Sequence, residues 1–314
     1  MGKFLMTLAE FFSDHTFRMV FFGTMIIGFV AGALGSFAYL RKQSMISDVI
    51  SHSALPGTLA AFLVSVVILH TDGRNMLALI IGAIIVGTSA VLFTQWIVRN
   101  SKVHVDSAMA VTLSLFFGAG MLLMRIVADG AFPGKGGIQD YLFGNASTIT
   151  REDLYTSLAV GGIALAILAI CWKEFAIRTF DPVHAAMMGV RGKLIDTLMF
   201  ATIVIASVIG VRAVGLVVMI AFVITPPAAA RQWTTRLGSM VMLSAIIGAV
   251  GSGIGAYLAV SLGKVPTGPM IVLVLFAIFV VSLIFSPRRS LIMQALARQR
   301  ARRDLKNYLL GRHV

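Results

Sequence analysis

Two side chains stand out on chemical grounds, Asp48 and His52, in the stretch RKQSMISDVISHSALPG from Arg41 to Gly57. Four residues apart, they share one face if the segment is helical. A carboxylate oxygen and an imidazole nitrogen together suit Mn²⁺, Fe²⁺ or Zn²⁺, while the absence of sulfur argues against Cu(I). Both lie at the head of an otherwise apolar run, and an ionisable group inside a membrane segment is costly enough to mark a functional site. Two ligands do not close a coordination shell, whereas a symmetric pair of chains meeting at a two-fold axis would supply four. The alternative reading is structural, with Asp48 capping the helix and His52 at the lipid headgroup level. Pro56 and Gly57 loosen the helix just beyond, and broken helices at membrane depth are where ion sites are built.

Two further segments carry unusual backbone chemistry. In FDPVHAAMMGVRGK, Phe180 to Lys193, Asp181 before Pro182 reads as an N-cap with proline at the first helical position. Ala185 and Ala186 fall inside that short helix, and Gly189 reads as its stop. The segment is either an interfacial link between two spans or a lever that docks on another protein. In GVRAVGLVVMIAFVITPPAAA, Gly210 to Ala230, Pro226 and Pro227 cannot continue an ordinary helix without disrupting backbone hydrogen bonds. A break there must be buried in protein or line a cavity. His70, Asp72, Asp129, Asp140, Glu152 and Asp153 read as solvated loop residues, and Asp106 as a helix cap. The chain has no HExxH pair, no GxSxG elbow and no GxxxxGK[ST] phosphate loop, so no ATP-hydrolysing motif and no enzyme activity of its own is expected.

The elements that must position these residues follow from composition. The chain has 314 residues, 58% hydrophobic and 12% charged, with a mean hydropathy of +0.92. Soluble domains are about 45–50% apolar and about 25% charged, and this excess cannot be hidden in one soluble core. Uncharged runs of spanning length, about 20 residues, occur at 19–40, 76–98, 107–124, 154–172, 237–263 and 265–287. The segment 53–69 joins them together with Asp48 and His52, and 197–230 divides in two between Gly210 and Gly215. The expected fold is all-α, a polytopic transmembrane bundle of about eight to nine spans (1–286) followed by a basic tail (287–314). Continuous runs exclude the alternation of a β-barrel.

The net charge of +13 is gathered in short clusters between spans, which is how orientation is written. A nucleic-acid partner is not expected, because such binders carry a basic face on a soluble fold. One side collects 18 Lys and Arg and the other 8, which makes the first cytoplasmic, with the C-terminus inside and the N-terminus outside. A lone Cys171 allows no intrachain disulfide. Residues 1–14 have no small-residue cleavage site and read as an amphipathic surface segment. The basic tail reads as a helix facing lipid headgroups. The connection between Arg125 and Arg151 reads as an external loop with a short helix. Gly28 and Gly32, like Gly251 and Gly255, stand four apart and should let helices approach closely.

Taken together, LRKQSMISDVISHSALPG, FDPVHAAMMG and GVRAVGLVVMIAFVITPPAAA resemble the permease family of ABC importers for manganese, zinc and iron, over about 16–289. Ser47 stands where that family usually has glycine and Ser53 where alanine is usual; both are small. His184 replaces an acidic residue, and Arg212 is an unexpected charge. The resemblance implies that Asp48 and His52, from both protomers, hold the metal in the translocation path. It also implies that Asp181, Pro182, Ala185, Ala186 and Gly189 belong to a coupling helix seated on the ATPase, and that Pro226 and Pro227 mark a helix break along the pathway. The implied partners are a second permease subunit in a homodimer or related heterodimer, cytoplasmic ATPase subunits that bind ATP, and an extracytoplasmic metal-binding protein. The setting is a bacterial cytoplasmic membrane, and the transported ion is Mn²⁺ ahead of Zn²⁺ or Fe²⁺, with no resident cofactor. A gradient-driven secondary transporter predicts inverted repeats and more intramembrane carboxylates. A membrane metalloenzyme predicts a third ligand and a general base.

Overall fold

A computed structural model describes residues 8–43, 45–71, 76–133, 151–263 and 265–286. The basic tail, most of the 125–151 connection and residues 1–7 lie outside the described residues, as do Asp72, Asp140 and the side chain of Arg212.

Among the described residues there are twelve α-helices and no strand. They are α1 (Leu8–Ser13), α2 (His15–Leu40), α3 (Ile46–Leu63, continued by a π-turn at Val64–Ile68), α4 (Met76–Asn100), α5 (Val105–Asp129) and α6 (Arg151–Ile170). There follow α7 (Trp172–Phe180), α8 (Pro182–Met187), α9 (Gly192–Val214), α10 (Leu216–Trp233), α11 (Leu237–Leu262) and α12 (Thr267–Phe285). Apolar content sets the helix lengths, because a backbone in lipid must satisfy its own hydrogen bonds. Local chemistry sets the ends: the Asp14 carboxylate caps α2 by accepting from the Thr16 amide at 2.7 Å, and α11 stops on Gly263 at φ +76°.

Seven of these helices are long and apolar enough to cross a membrane, or up to eight if α6 and α7, bent by 68° at Cys171, form one span. The division expected between Gly210 and Gly215 falls at Gly215, whose φ of +89° is a conformation that L side chains rarely adopt. A break at Pro226 and Pro227 does not form. Helix α10 runs through both, and both prolines are buried. Proline has no amide to offer the carbonyl four residues back, so Pro227 frees that of Val223. The freed group packs against Gly35 of α2, which has no Cβ to obstruct it.

Helices α2 and α3 occupy the centre, with 72% of their apolar windows buried, whereas α5 and α12 are peripheral at 17%. Gly28 packs on Gly248 of α11 so closely that a Cβ on either would collide with the other's carbonyl. A Cβ on Gly32 would lie 2.6 Å from the Ser244 carbonyl oxygen. Gly251 and Gly255 perform the same role towards α12, where a Cβ on Gly255 would lie 2.6 Å from the Ile271 Cα. Both glycine pairs singled out by spacing therefore seat helix on helix.

Candidate metal site and the helices that hold it

Helix α3 starts at Ile46, with Met45 at the N-cap position. Asp48 therefore stands inside the first turn, where the exposed amides of the helix favour a carboxylate. Its side chain does not act as the N-cap; it turns along the helix to His52. Asp48 Oδ1 and His52 Nε2 are 3.4 Å apart, and the side chains are 32% and 25% exposed respectively. That separation is longer than a good hydrogen bond. It matches adjacent ligands of one cation, since bonds of about 2.0–2.2 Å place neighbouring donors about 3–3.5 Å apart.

The imidazole is held edge-on against Phe117 of α5, with ring centroids 5.0 Å apart and planes at 83°. His52 Nδ1 is buried and has no hydrogen-bond partner among the described residues. Behind the pair, Ser47 and Ser51 are fully buried, and their small size lets α3 sit deep in the bundle. One turn further on, Pro56 withholds the amide that the His52 carbonyl would otherwise accept from. Gly57 then meets Gly82 of α4, where a Cβ would lie 2.5 Å from the Gly82 carbonyl oxygen. No third His, Cys, Asp or Glu joins Asp48 and His52 among the described residues. One chain thus presents two potential donors on a partly open face.

At the end of the bundle where α3 begins, α8 forms as its residues dictate. The Asp181 carboxylate accepts from the His184 amide at 2.8 Å, Pro182 takes the first helical position, and Gly189 turns the chain at φ +77°. Ala185 faces the bundle and is 1% exposed, while Ala186 is exposed. Outwards, the helix and its flanks present Phe180, Val183, Met187 and Met188, each 61% exposed or more. Asp106 is not the cap of α5, whose N-cap position is His104.

A polar brace that no sequence motif marks lies behind these two features. Asp196, early in α9, accepts from Arg41 Nη2 at 2.6 Å and from Arg178 Nη2 at 2.7 Å and Nε at 3.1 Å. Arg41 is the C-cap of α2, five residues before α3 begins at Ile46, and Arg178 lies in α7, three residues before Asp181. The brace therefore joins the turn leading into the Asp48 helix to the last turn of α7, just ahead of α8. Its members are 155 and 18 positions apart in sequence, too far for any spacing rule. The one available signal was a carboxylate standing alone at the head of an apolar run on the basic side.

The ABC 3 transport family matches residues 13–286. The zinc transport system membrane protein TroC of Treponema pallidum is 34% identical over 293 residues, covering 93% of this chain and 96% of that protein. The manganese transport system membrane protein MntC of Bacillus subtilis is 35% identical over 286 residues, 91% of this chain and 64% of that longer protein. Among solved structures, PsaBC from Streptococcus pneumoniae in complex with Fab superposes with a TM-score of 0.76 at 30% identity, covering 90% of this chain and 98% of that one.

Proposed function

The chain belongs to the ABC 3 transport family, and from that premise we propose that it is the membrane-spanning permease of an ATP-driven importer of a divalent transition metal, with Asp48 and His52 as cargo ligands. The observation that carries the reading is the Asp48–His52 pair, 3.4 Å apart on a half-open helix face. Two donors hold an ion weakly, which suits transit, since a conducted ion must bind well enough to enter and loosely enough to leave. A second copy of the chain would bring two more and complete four.

In this reading the end of the bundle bearing α8 is cytoplasmic. The exposed Phe180, Val183, Met187 and Met188 form the surface that an ATPase subunit covers, and the rigid cap at Asp181 transmits its movement. An extracytoplasmic metal-binding protein delivers the ion at the opposite end. We take manganese ahead of zinc and iron as the cargo to test first; the similar proteins include both a zinc and a manganese system, and nitrogen and oxygen donors alone do not separate the three metals.

The test is uptake of radioactive manganese by proteoliposomes holding this chain with its ATPase. Asp48→Ala and His52→Ala should each abolish ATP-dependent uptake while leaving the subunits assembled. Uptake at the native rate by both variants would rule out the site. Uptake that persists with no ATPase present would favour a gradient-driven carrier instead.

A further inference from the structure

Beside the Arg41–Asp196–Arg178 brace lies a cavity of about 430 Å³ that ion transit does not explain. Its wall holds four cationic side chains, Arg41, Arg99, Arg178 and Lys193, against one carboxylate, Asp196. That carboxylate is already committed to Arg41 and Arg178. Arg99 and Lys193 are exposed and make no ion pair or hydrogen bond among the described residues, and in the same wall the buried Gln95 Nε2 lacks an acceptor and the buried Gln43 Oε1 a donor. Such a wall repels a divalent cation, so this is not a vestibule for metal. Its excess of positive charge, with one orphaned amide donor, favours an anion.

The cavity adjoins a second hollow of about 460 Å³, which shares Gln95, Arg99 and Lys193 and is edged by Leu92 and Trp96. This hollow leads onto the outer face of α4. There Leu77, Ile81, Ile85, Leu92 and Trp96, each between 42% and 60% exposed, recur at helical spacing along the length of the span. A polar head and a long apolar flank thus meet at one place, with a tryptophan where amphipathic rings mark the membrane interface.

We infer that this is a binding site for an anionic membrane phospholipid. The phosphate is held by Arg99, Lys193 and the Gln95 amide, and an acyl chain lies along the exposed face of α4. Arginine suits phosphate because its planar donors match the oxygens, and basic pockets between membrane helices at the cytoplasmic side take anionic headgroups. Lipid occupying the site would also neutralise the charge beside the brace that leads to α8.

Native mass spectrometry of the delipidated full chain tests this, with phosphatidylglycerol, phosphatidylcholine and inorganic phosphate added separately. Arg99→Gln/Lys193→Gln is compared with Lys102→Gln, an exposed charge outside both hollows. Each basic group near a membrane surface contributes about fivefold in affinity, so the double variant should lose about thirtyfold in phosphatidylglycerol retention. Lys102→Gln should retain it. Equal retention of the two lipids, or no loss in the double variant, overturns the proposal. Protection by inorganic phosphate without retention of phosphatidylglycerol overturns the lipid assignment in favour of a soluble anion. A change in oligomeric state in place of lipid loss would make the face an interface between copies, and equally overturns it.

Discussion

Replacing Asp196 by alanine removes the acceptor that two arginines share and leaves their guanidinium groups facing each other. The three side chains are 13% (Arg41), 24% (Arg178) and 16% (Asp196) exposed, so solvent screens the brace only in part. Breaking a buried ion pair from one side costs about 3–5 kcal/mol, and the adjoining cavity gives the stranded arginines access to water. The expected loss is therefore at the lower end, about 3 kcal/mol, or roughly a hundredfold in the folded-to-unfolded ratio. Asp196→Asn keeps the shape and an acceptor oxygen and should lose about half as much. In an Arg178→Ala background, Asp196→Ala should cost about 1–2 kcal/mol less than in the native chain, because the partner is already gone. Equilibrium unfolding in mixed micelles, followed by tryptophan fluorescence, reads all four variants. In the assembled transporter, Asp196→Asn should raise the ATP hydrolysed per ion imported, because the brace ties the turn leading into α3 to the last turn of α7, just ahead of α8. Unchanged stability in Asp196→Ala, together with unchanged coupling in Asp196→Asn, would refute the reasoning.

Three further outcomes are expected. Gly57→Ala places a Cβ 2.5 Å from the Gly82 carbonyl oxygen and should lower stability by about 1–3 kcal/mol; Gly162→Ala, with nothing within 4 Å, serves as the control in the same unfolding assay and should be close to neutral. Gly215→Ala puts a side chain at φ +89° and ψ 167°, a region nearly reserved for glycine, and should cost about 1–3 kcal/mol, read as a lower melting temperature in detergent. Met187→Glu on the exposed face of α8 should weaken capture of the ATPase subunit in a pull-down without altering the melting temperature of the isolated permease. Native capture would show that α8 is not the docking element.

Much of the architecture is legible in the sequence because membrane helices obey one strong local rule, an apolar run of spanning length. The Asp48–His52 juxtaposition was readable for a similar reason: a separation of four fixes a shared face wherever the run is helical. Asp181, Pro182 and Gly189 carried their own backbone chemistry and appear as cap, first turn and stop. Legibility fails where partners come from different helices. Arg41, Arg178 and Asp196 meet only because α2, α7 and α9 converge, and no periodicity links them. Pro226 and Pro227 failed in the other direction, since a rule about isolated helices was overridden by a neighbour with room for the freed carbonyl. Gly215 interrupts the chain because its positive φ, unlike a missing amide, redirects the backbone itself.

The Gly28–Gly248 approach bears on how the protein can move. Helices whose main chains touch cannot slide by a fraction of a turn without driving carbonyls into each other, so α2 and α11 should travel as one body. Gly57 and Gly82 bind α3 to α4 in the same manner, which makes a second body carrying Asp48 and His52. Opening the pathway to one face and then the other would fall to α9 and α10, which pack against α2 on one side and α3 on the other. Paired spin labels should report constant distances within each block through the ATP cycle and changing distances between the two blocks. Changes within the α2–α11 pair would show that these two helices do not move as one body.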